Sequence, residues 1–381
     1  MLPYGRQTIE DDDIQAVVDV LKGDYLTTGP AVNAFEQKLC DVTGAKYAVA
    51  CSNGTTALHL ACMALDLKDN ECAVVPTLTF LATANAVRYC GANVVFSDVD
   101  PDTGLMTGET LLEALSYAKS KGWIVKVVLP VHLAGQAVNL ADIQEICSKQ
   151  NIKIIADACH AIGGTYKQKP IGSCEFEDMS AFSFHPVKTI AMGEGGAVTT
   201  NNEELANAMR TRRHHGMSKT DSMEPWAYEM NDLGYNYRVT DIQCALGVSQ
   251  LNKIDTFIEK REALVALYNE KLKNISEYVK APHEAKENKT GWHLYAISID
   301  FERLGISRTN LMAYLKEHGV GTQVHYIPVH TQPYYTNLYG ARELVGADAY
   351  YQKTLSLPLY PLMDEADVSH VVKTLKNALG Q

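Results

Sequence analysis

The chain has 381 residues, 46% of them apolar and 21% charged, and its 34 basic and 45 acidic side chains leave a net charge of −11. This is ordinary for a globular protein of two or three domains with an ample core; it excludes a disordered, collagenous or coiled-coil chain and disfavours a nucleic-acid partner. No run reaches the ~18 apolar residues of a membrane span, the N-terminus lacks signal-peptide regions, and nine cysteines without a C-x-x-C pair read as reduced, buried thiols, so a cytoplasmic protein without membrane contact is expected.

Residues 8–22 place Thr8 and the acids Glu10 to Asp13 ahead of Ile14, Val17, Val18 and Leu21. That predicts an amphipathic helix with a solvated acidic first turn. Residues 24–30 read as a loop and 31–43 as a second helix. From residue 45, strand-like runs at 47–51, 73–76, 94–98, 124–131, 153–157, 180–184 and 196–200 alternate with helical stretches at 54–66, 80–90, 109–120, 140–150 and 203–212. Such alternation predicts an α/β fold with a mostly parallel, seven-stranded sheet covered on both faces. A long helical stretch at 248–275 leads into a smaller α/β region. There 292–299 and 321–326 read as strands, 307–318 and 364–379 as helices, and 282–291 as a polar loop. Three packed parts are expected: an N-terminal helix and loop (1–30), a large domain (31–250) and a small C-terminal domain (251–381).

Ligands in such sheets bind beyond the C-terminal ends of the strands. Ser52-Asn53-Gly54-Thr55-Thr56 forms a strand-to-helix junction there. Its glycine and free helix N–H groups suit a phosphate, and they equally suit plain capping by Ser52 or Asn53. Asp157 ends an apolar strand, either to hold a cationic nitrogen or to cap the next element. Lys188 lies between a strand end and Gly193-Glu194-Gly195-Gly196, as a desolvated nucleophile or a surface lysine. The adjacent His214 and His215 read as stacked surface or interface groups. Metal and hydrolase motifs such as H-E-x-x-H, G-x-S-x-G and the P-loop are missing from the sequence.

Singly, each feature reads both ways. Together, a phosphate-binding helix start, a strand-end aspartate and a lysine 31 residues later make a pyridoxal phosphate set. Lys188 would take the cofactor aldehyde, Asp157 its ring nitrogen, Ser183 its phosphate, and Phe80 a ring face.

These residues lie within longer motifs. They include Thr27-Thr28-Gly29-Pro30, Asp157-Ala158-Cys159-His160-Ala161-Ile162-Gly163, Ser183 through Lys188, and Asn236-Tyr237-Arg238-Val239-Thr240-Asp241. In them the chain resembles the DegT/StrS-type aminotransferases, fold-type-I pyridoxal phosphate enzymes acting on nucleotide-linked keto sugars. The resemblance runs from about Tyr4 to the C-terminus. It implies cofactor contacts at Gly54, Thr55, Phe80, His160 and Ser183, with Lys188 and Asp157 as catalytic groups. It also implies a homodimer in which Asn236 reaches the partner's cofactor phosphate and Arg238 lies at the same interface. Lys188 separates the chain from dehydrase relatives, which carry histidine there.

One branch of that family aminates a UDP-linked 4-keto-6-deoxy-N-acetylhexosamine, the altrosamine precursor of pseudaminic acid, with L-glutamate as donor. Its substrate contacts resemble Tyr4, Asp24, Tyr25, Leu26, Thr27, Gly54, Gln323, Val324, His325 and Tyr326, together with Ser183, Asn236 and Arg238. Perosamine- and bacillosamine-type keto sugars are alternative substrates. A non-catalytic regulatory relative is a further alternative, which the presence of Lys188 and Asp157 opposes.

Overall fold

A computed structural model describes residues 1–380 apart from 221–222, 274, 276 and 286–287. The acidic run before Ile14 starts helix α1 (Asp11–Lys22), closed at its N-terminus by a capping box between Glu10 and Asp13. The expected solvated acidic turn is corrected at one residue. Asp13 is fully buried, and its carboxylate meets the Lys253 ammonium at 2.8 Å and accepts a hydrogen bond from the Gln250 amide. Burial is tolerated because the charge is paired and hydrogen-bonded. Helix α2 (Pro30–Thr43) has proline in its first turn and stops at Gly44, in the left-handed region at φ 77°.

The alternating segment then runs β1 (Tyr47–Cys51), α3 (Gly54–Ala64), β2 (Glu71–Pro76), α4 (Leu81–Tyr89), β3 (Asn93–Ser97), α5 (Gly108–Ser120), β4 (Ile124–Val128), α6 (Leu140–Ser148) and β5 (Lys153–Asp157). A small hairpin of β6 (Thr165–Tyr166) and β7 (Lys169–Pro170) precedes β8 (Met179–Ser183), β9 (Gly196–Thr200) and α7 (Glu203–Arg213). The seven-stranded sheet has the order β1-β9-β8-β5-β4-β2-β3. Only β9 runs antiparallel to its neighbours. Continuous apolar runs such as Ile154-Ile155-Ala156 are buried, as a sheet covered on both faces requires. Strand β4 ends three residues before the expected 131, because Pro130 has no N–H to donate; its carbonyl instead accepts from Asp157.

Because β9 turns back beside β8, residues 184–195 form a loop at the ligand edge. Phe184 donates to the Gly195 carbonyl and accepts from the Met192 N–H. Phe184, Ile190 and Met192 are buried in the core beneath, so the loop is anchored on both sides of Lys188.

A second hairpin, β10 (Met217–Ser218) with β11 (Glu229–Met230), precedes α8 (Asp241–Leu251) and α9 (Ile254–Leu272). The single helical stretch expected at 248–275 is thus two helices, broken where Lys253 turns its ammonium to Glu10, Asp12 and Asp13. Helix α9 spans two cores: Ile254, Phe257 and Ile258 pack beneath the large sheet, while Leu264, Val265, Tyr268 and Leu272 pack in the C-terminal core. That second core is built on an antiparallel sheet of β12 (Val279–Lys280), β13 (Tyr295–Ile299) and β14 (Thr354–Leu357). With it come α10 (Phe301–Leu304), α11 (Arg308–Glu317), α12 (Pro333–Tyr339), α13 (Val345–Lys353) and α14 (Glu365–Ala378). Residues 333–347 shield the edge strand β3: the Tyr339 hydroxyl accepts from the Val94 N–H, and Arg342 donates to the Phe96 carbonyl.

The strand expected at 321–326 is reduced to one bridge, Gln323 with Ser356. A continued strand would point alternate side chains to opposite faces. Here Gln323, Val324, His325 and Tyr326 all line one cleft. Among the described residues, no helix is long and apolar enough to cross a membrane.

Candidate active site

The cleft, about 640 Å³, opens at the C-terminal ends of β1, β5 and β8 and is lined by Gly54, Thr55, Phe80, Asp157, His160, Ser183 and Lys188. The junction between β1 and α3 explains its floor. A Cβ at Gly54 would lie 2.6 Å from the Ser183 Cβ, and one at Gly196 would lie 2.2 Å from the Asn53 carbonyl oxygen. Only glycine at both places lets the helix start meet the ends of β8 and β9. Asn53 caps α3 by accepting from the Thr56 N–H, in a capping box with the Thr56 hydroxyl. Capping leaves the junction open to a ligand: Asn53 and Thr56 serve the helix, while Gly54 and Thr55 present its first turn to the cleft.

Asp157, 5% exposed, makes the capping contact expected of it and also lines the cleft. One carboxylate oxygen accepts from the Cys159 N–H at 3.1 Å, and the other accepts from the Thr83 hydroxyl at 2.7 Å. Lys188 projects from the β8–β9 loop into the same cleft. Burial pushes its amine below the ordinary lysine value, against the opposing pull of Cys159 and Asp157. Burial likewise raises the Cys159 thiol well above its usual range, so it stays protonated beside the lysine.

A histidine cluster forms the adjoining wall. His160 accepts the Ala134 N–H on Nδ1 at 3.2 Å, which leaves the proton of the neutral ring on Nε2, 3.1 Å from the Tyr326 hydroxyl. Its ring lies 4.4 Å from that of His293. His325 bonds the Ser356 hydroxyl at 2.8 Å and packs 5.5 Å from the Tyr4 ring. Burial, then nearby Lys188, lowers both His160 and His325, the latter to about 3. All three are neutral at ordinary pH, since burial lowers His293 as well.

Of the residues singled out in the sequence, Tyr4, Gly54, Thr55, Phe80, Asp157, His160, Ser183, Lys188 and Gln323 to Tyr326 converge here. Asp24, Tyr25, Leu26, Thr27, Asn236 and Arg238 lie off this cleft. The loop is tied to the start of α8, where Thr27 pairs with Thr240 and Leu26 accepts from the Asp241 N–H, while Asn236 pairs with His214. Arg238 bonds His214 Nδ1 at 2.8 Å and makes no ion pair among the described residues. The cleft residues Cys159, His185 and Glu194 stood in the sequence motifs without a role of their own, and Thr79, in the cleft, and Thr83, behind it, were not singled out. The spacing of Thr79 and Thr83, one helical turn apart at a helix start, was the available signal for that pair.

A depressed lysine amine, a strand-end carboxylate and a helix N-terminus opening on one cleft define a fold-type-I enzyme built for pyridoxal 5′-phosphate, and the glycine-cleared floor fits that group. The sequence as a whole agrees. The chain belongs to the DegT/DnrJ/EryC1/StrS aminotransferase family, whose profile matches residues 7–376. It is a pyridoxal-phosphate-dependent sugar aminotransferase. It is 38% identical to the UDP-4-amino-4,6-dideoxy-N-acetyl-beta-L-altrosamine transaminase of Campylobacter jejuni, across 100% of this chain and 98% of that one. It is 37% identical to the spore coat polysaccharide biosynthesis protein SpsC of Bacillus subtilis, across 99% and 96%. Among solved structures it is similar to Helicobacter pylori PseC, an aminotransferase involved in the biosynthesis of pseudoaminic acid, with TM-score 0.92, 30% identity and coverage of 100% and 99%.

Proposed function

We propose that this enzyme moves the amino group of L-glutamate to the 4-keto carbon of a UDP-linked 4-keto-6-deoxy-N-acetylhexosamine, giving UDP-4-amino-4,6-dideoxy-N-acetyl-β-L-altrosamine for pseudaminic acid. The observation that carries this reading is the wall of four consecutive residues, Gln323 to Tyr326, with the Tyr4 ring against His325, in the cleft that holds Lys188. Polar and aromatic groups in that number suit a nucleotide sugar better than an aliphatic keto acid. The full-length likeness to the Campylobacter transaminase supports the same choice.

When bound, the cofactor supplies an electron sink. Lys188 would hold it covalently and, once displaced by the incoming amine, would be the neutral base that carries a proton. Asp157 would keep its ring nitrogen protonated, Gly54, Thr55 and Ser183 would take its phosphate, and Phe80 and His160 would flank its ring. Tyr4 and His325 meet the nucleotide sugar. The reaction is placed in the cytoplasm, in keeping with cysteines that are all unpaired.

The enzyme works as a homodimer with shared sites. Its substrates bring a diphosphate and two carboxylates, yet among the described lining residues Lys188 is the one lysine and no arginine is present. Asn236, Arg238 and the loop Asp24 to Thr27 are the contribution to the partner's cleft. Nearby Trp226, Tyr228, Met230 and Leu233 leave apolar side chains exposed, Trp226 at 81%, which a second copy would cover.

The test is a single turnover: enzyme aminated with L-glutamate is mixed with UDP-, dTDP- and GDP-linked keto sugars, and the products are identified by NMR. Amination at C4 of the UDP sugar is expected. Preference for a perosamine- or bacillosamine-type precursor would overturn the substrate and leave the aminotransferase standing. Sharing is tested separately by co-expressing Lys188→Ala with Asn236→Asp. Each homodimer should be nearly inactive, and random mixing should restore about a quarter of wild-type activity. Verified mixed dimers without activity would place Asn236 in its own chain's site.

A further inference from the structure

Two buried hydroxyls behind Asp157 have no role in the chemistry described so far. Thr83, fully buried in the first turn of α4, has its oxygen 2.7 Å from one Asp157 carboxylate oxygen, and Thr79, 2% exposed, has its own oxygen 2.7 Å from that of Thr83. The direction of this chain follows from proton counting. An ionised carboxylate only accepts, so Thr83 donates to it. Having spent its single proton, the Thr83 oxygen can only accept from Thr79.

The ordinary partner of a threonine in a helix is a carbonyl one turn back. For Thr83 that is the Phe80 carbonyl, 3.3 Å away, and the shorter contact goes to the charged oxygen instead. The other carboxylate oxygen is fixed by the Cys159 N–H. Each oxygen of Asp157 thus has one donor that sets its rotation, and the Thr83 one is fully buried. A β-branched residue suits this work because its χ1 has few wells in a helix.

We infer that Thr83, backed by Thr79, is a positioning residue that fixes the rotation of the Asp157 carboxylate presented to the cofactor's ring nitrogen. The inference rests on the role proposed for Asp157. A carboxylate that loses one of two fixed donors turns to find another and competes with the ring nitrogen for its proton. Removing the Thr83 hydroxyl should therefore shift the ring nitrogen toward its neutral form without removing the aspartate.

The experiment compares Thr83→Val, Thr83→Ser, Thr79→Val and Asp157→Asn by two readouts. One is the ring-nitrogen chemical shift in holoenzyme carrying 15N-labelled cofactor. The other is the affinity of apoenzyme for pyridoxamine 5′-phosphate, followed by fluorescence quenching. Thr83→Val should move the nitrogen signal part of the way to neutral pyridine and weaken binding roughly ten- to a hundredfold, the scale of a hydrogen bond to a charged group. Thr83→Ser should restore both, and Thr79→Val should give a smaller change of the same sign. A wild-type nitrogen signal in Thr83→Val, or equal damage by valine and serine, would overturn the inference. If Thr83→Val does not fold, Thr79→Val and Thr83→Ser carry the test. Should Asp157→Asn itself leave the nitrogen signal unmoved, the role of Asp157 fails, whereas a response to Asp157→Asn alone overturns only the threonine relay.

Discussion

The two ends of the cleft are built differently. Asp157 and Ser183 close the strands β5 and β8, Gly54 opens α3, and Lys188 rides on a loop whose shoulders are buried. Sheet register holds these groups. Tyr4 and Gln323 to Tyr326 belong to no helix or strand. Their backbone is tied at a few points, where Leu359 donates to the Tyr4 carbonyl and Gln323 exchanges two bonds with Ser356. A reaction common to a whole family needs the first kind of support, since small misplacements of reacting groups cost large factors in rate. Choice among sugars is served by the second kind, where a few contacts can change without disturbing the sheet.

The largest effect should come from the rigid end. Lys188→Ala should lower multiple turnover by at least ~10⁴-fold while leaving the melting temperature of the apoenzyme near wild type, because Phe184, Ile190 and Met192 anchor the loop without it. Turnover by this variant without added amine would break the assignment. Asp157→Asn keeps the shape and removes the charge. Rapid-mixing measurements of the glutamate half-reaction should then fall by roughly 10²–10³-fold, and an unchanged rate would leave the aspartate with a structural role only.

At the looser end, His325→Ala should reduce kcat/KM for the sugar by about tenfold and spare the half-reaction with glutamate. Equal loss in both would erase the distinction between the ends. The histidine wall also makes stability respond to acid. His160, His293 and His325 are held neutral below the ordinary histidine value, so between pH 6.5 and about 3 the unfolded chain binds protons that the folded chain does not. Stability should therefore be fully present above pH 6.5 and fall as pH drops, by up to about 1.4 kcal/mol per pH unit for each histidine. Urea unfolding at pH 7.5 and 5.5 measures the slope, and His325→Gln should flatten it.

The rigid end was the legible one. Buried parallel strands write themselves as apolar runs such as Ile154 to Ala156, and a charged residue ending such a run stands out. Asp157 is visible for that reason, and Lys188 becomes so only in combination with it and the Gly54 helix start. The looser end misled: Val324 and Tyr326 alternate with Gln323 and His325 as in a strand, yet all four face one cavity. The tyrosine-rich segment 333–353 gave no helix signal, because its two helices are fixed by covering the β3 edge rather than by their own periodicity. Asp13 looked solvated because Lys253, which makes its burial tolerable, follows 240 residues later. The hydroxyl chain was half hidden: the spacing of Thr79 and Thr83 is local, but Thr83 meets Asp157 across 74 residues.

The antiparallel return of β9 has a consequence for which changes in chain length the enzyme can survive. Residues 185–191 are closed off by the bond between the Phe184 carbonyl and the Met192 N–H, with Lys188 at their centre. A crossover through a helix could absorb an extra residue in its connecting loops, but a short closed loop with buried shoulders cannot. One insertion or deletion there would rotate the lysine out of line with Asp157 while every residue of the motif remained. The spacing between Ser183 and Gly196 is therefore as much a part of the chemistry as the lysine itself, and descendants that take new sugars are free to lengthen the chain only where no strand pair counts the residues.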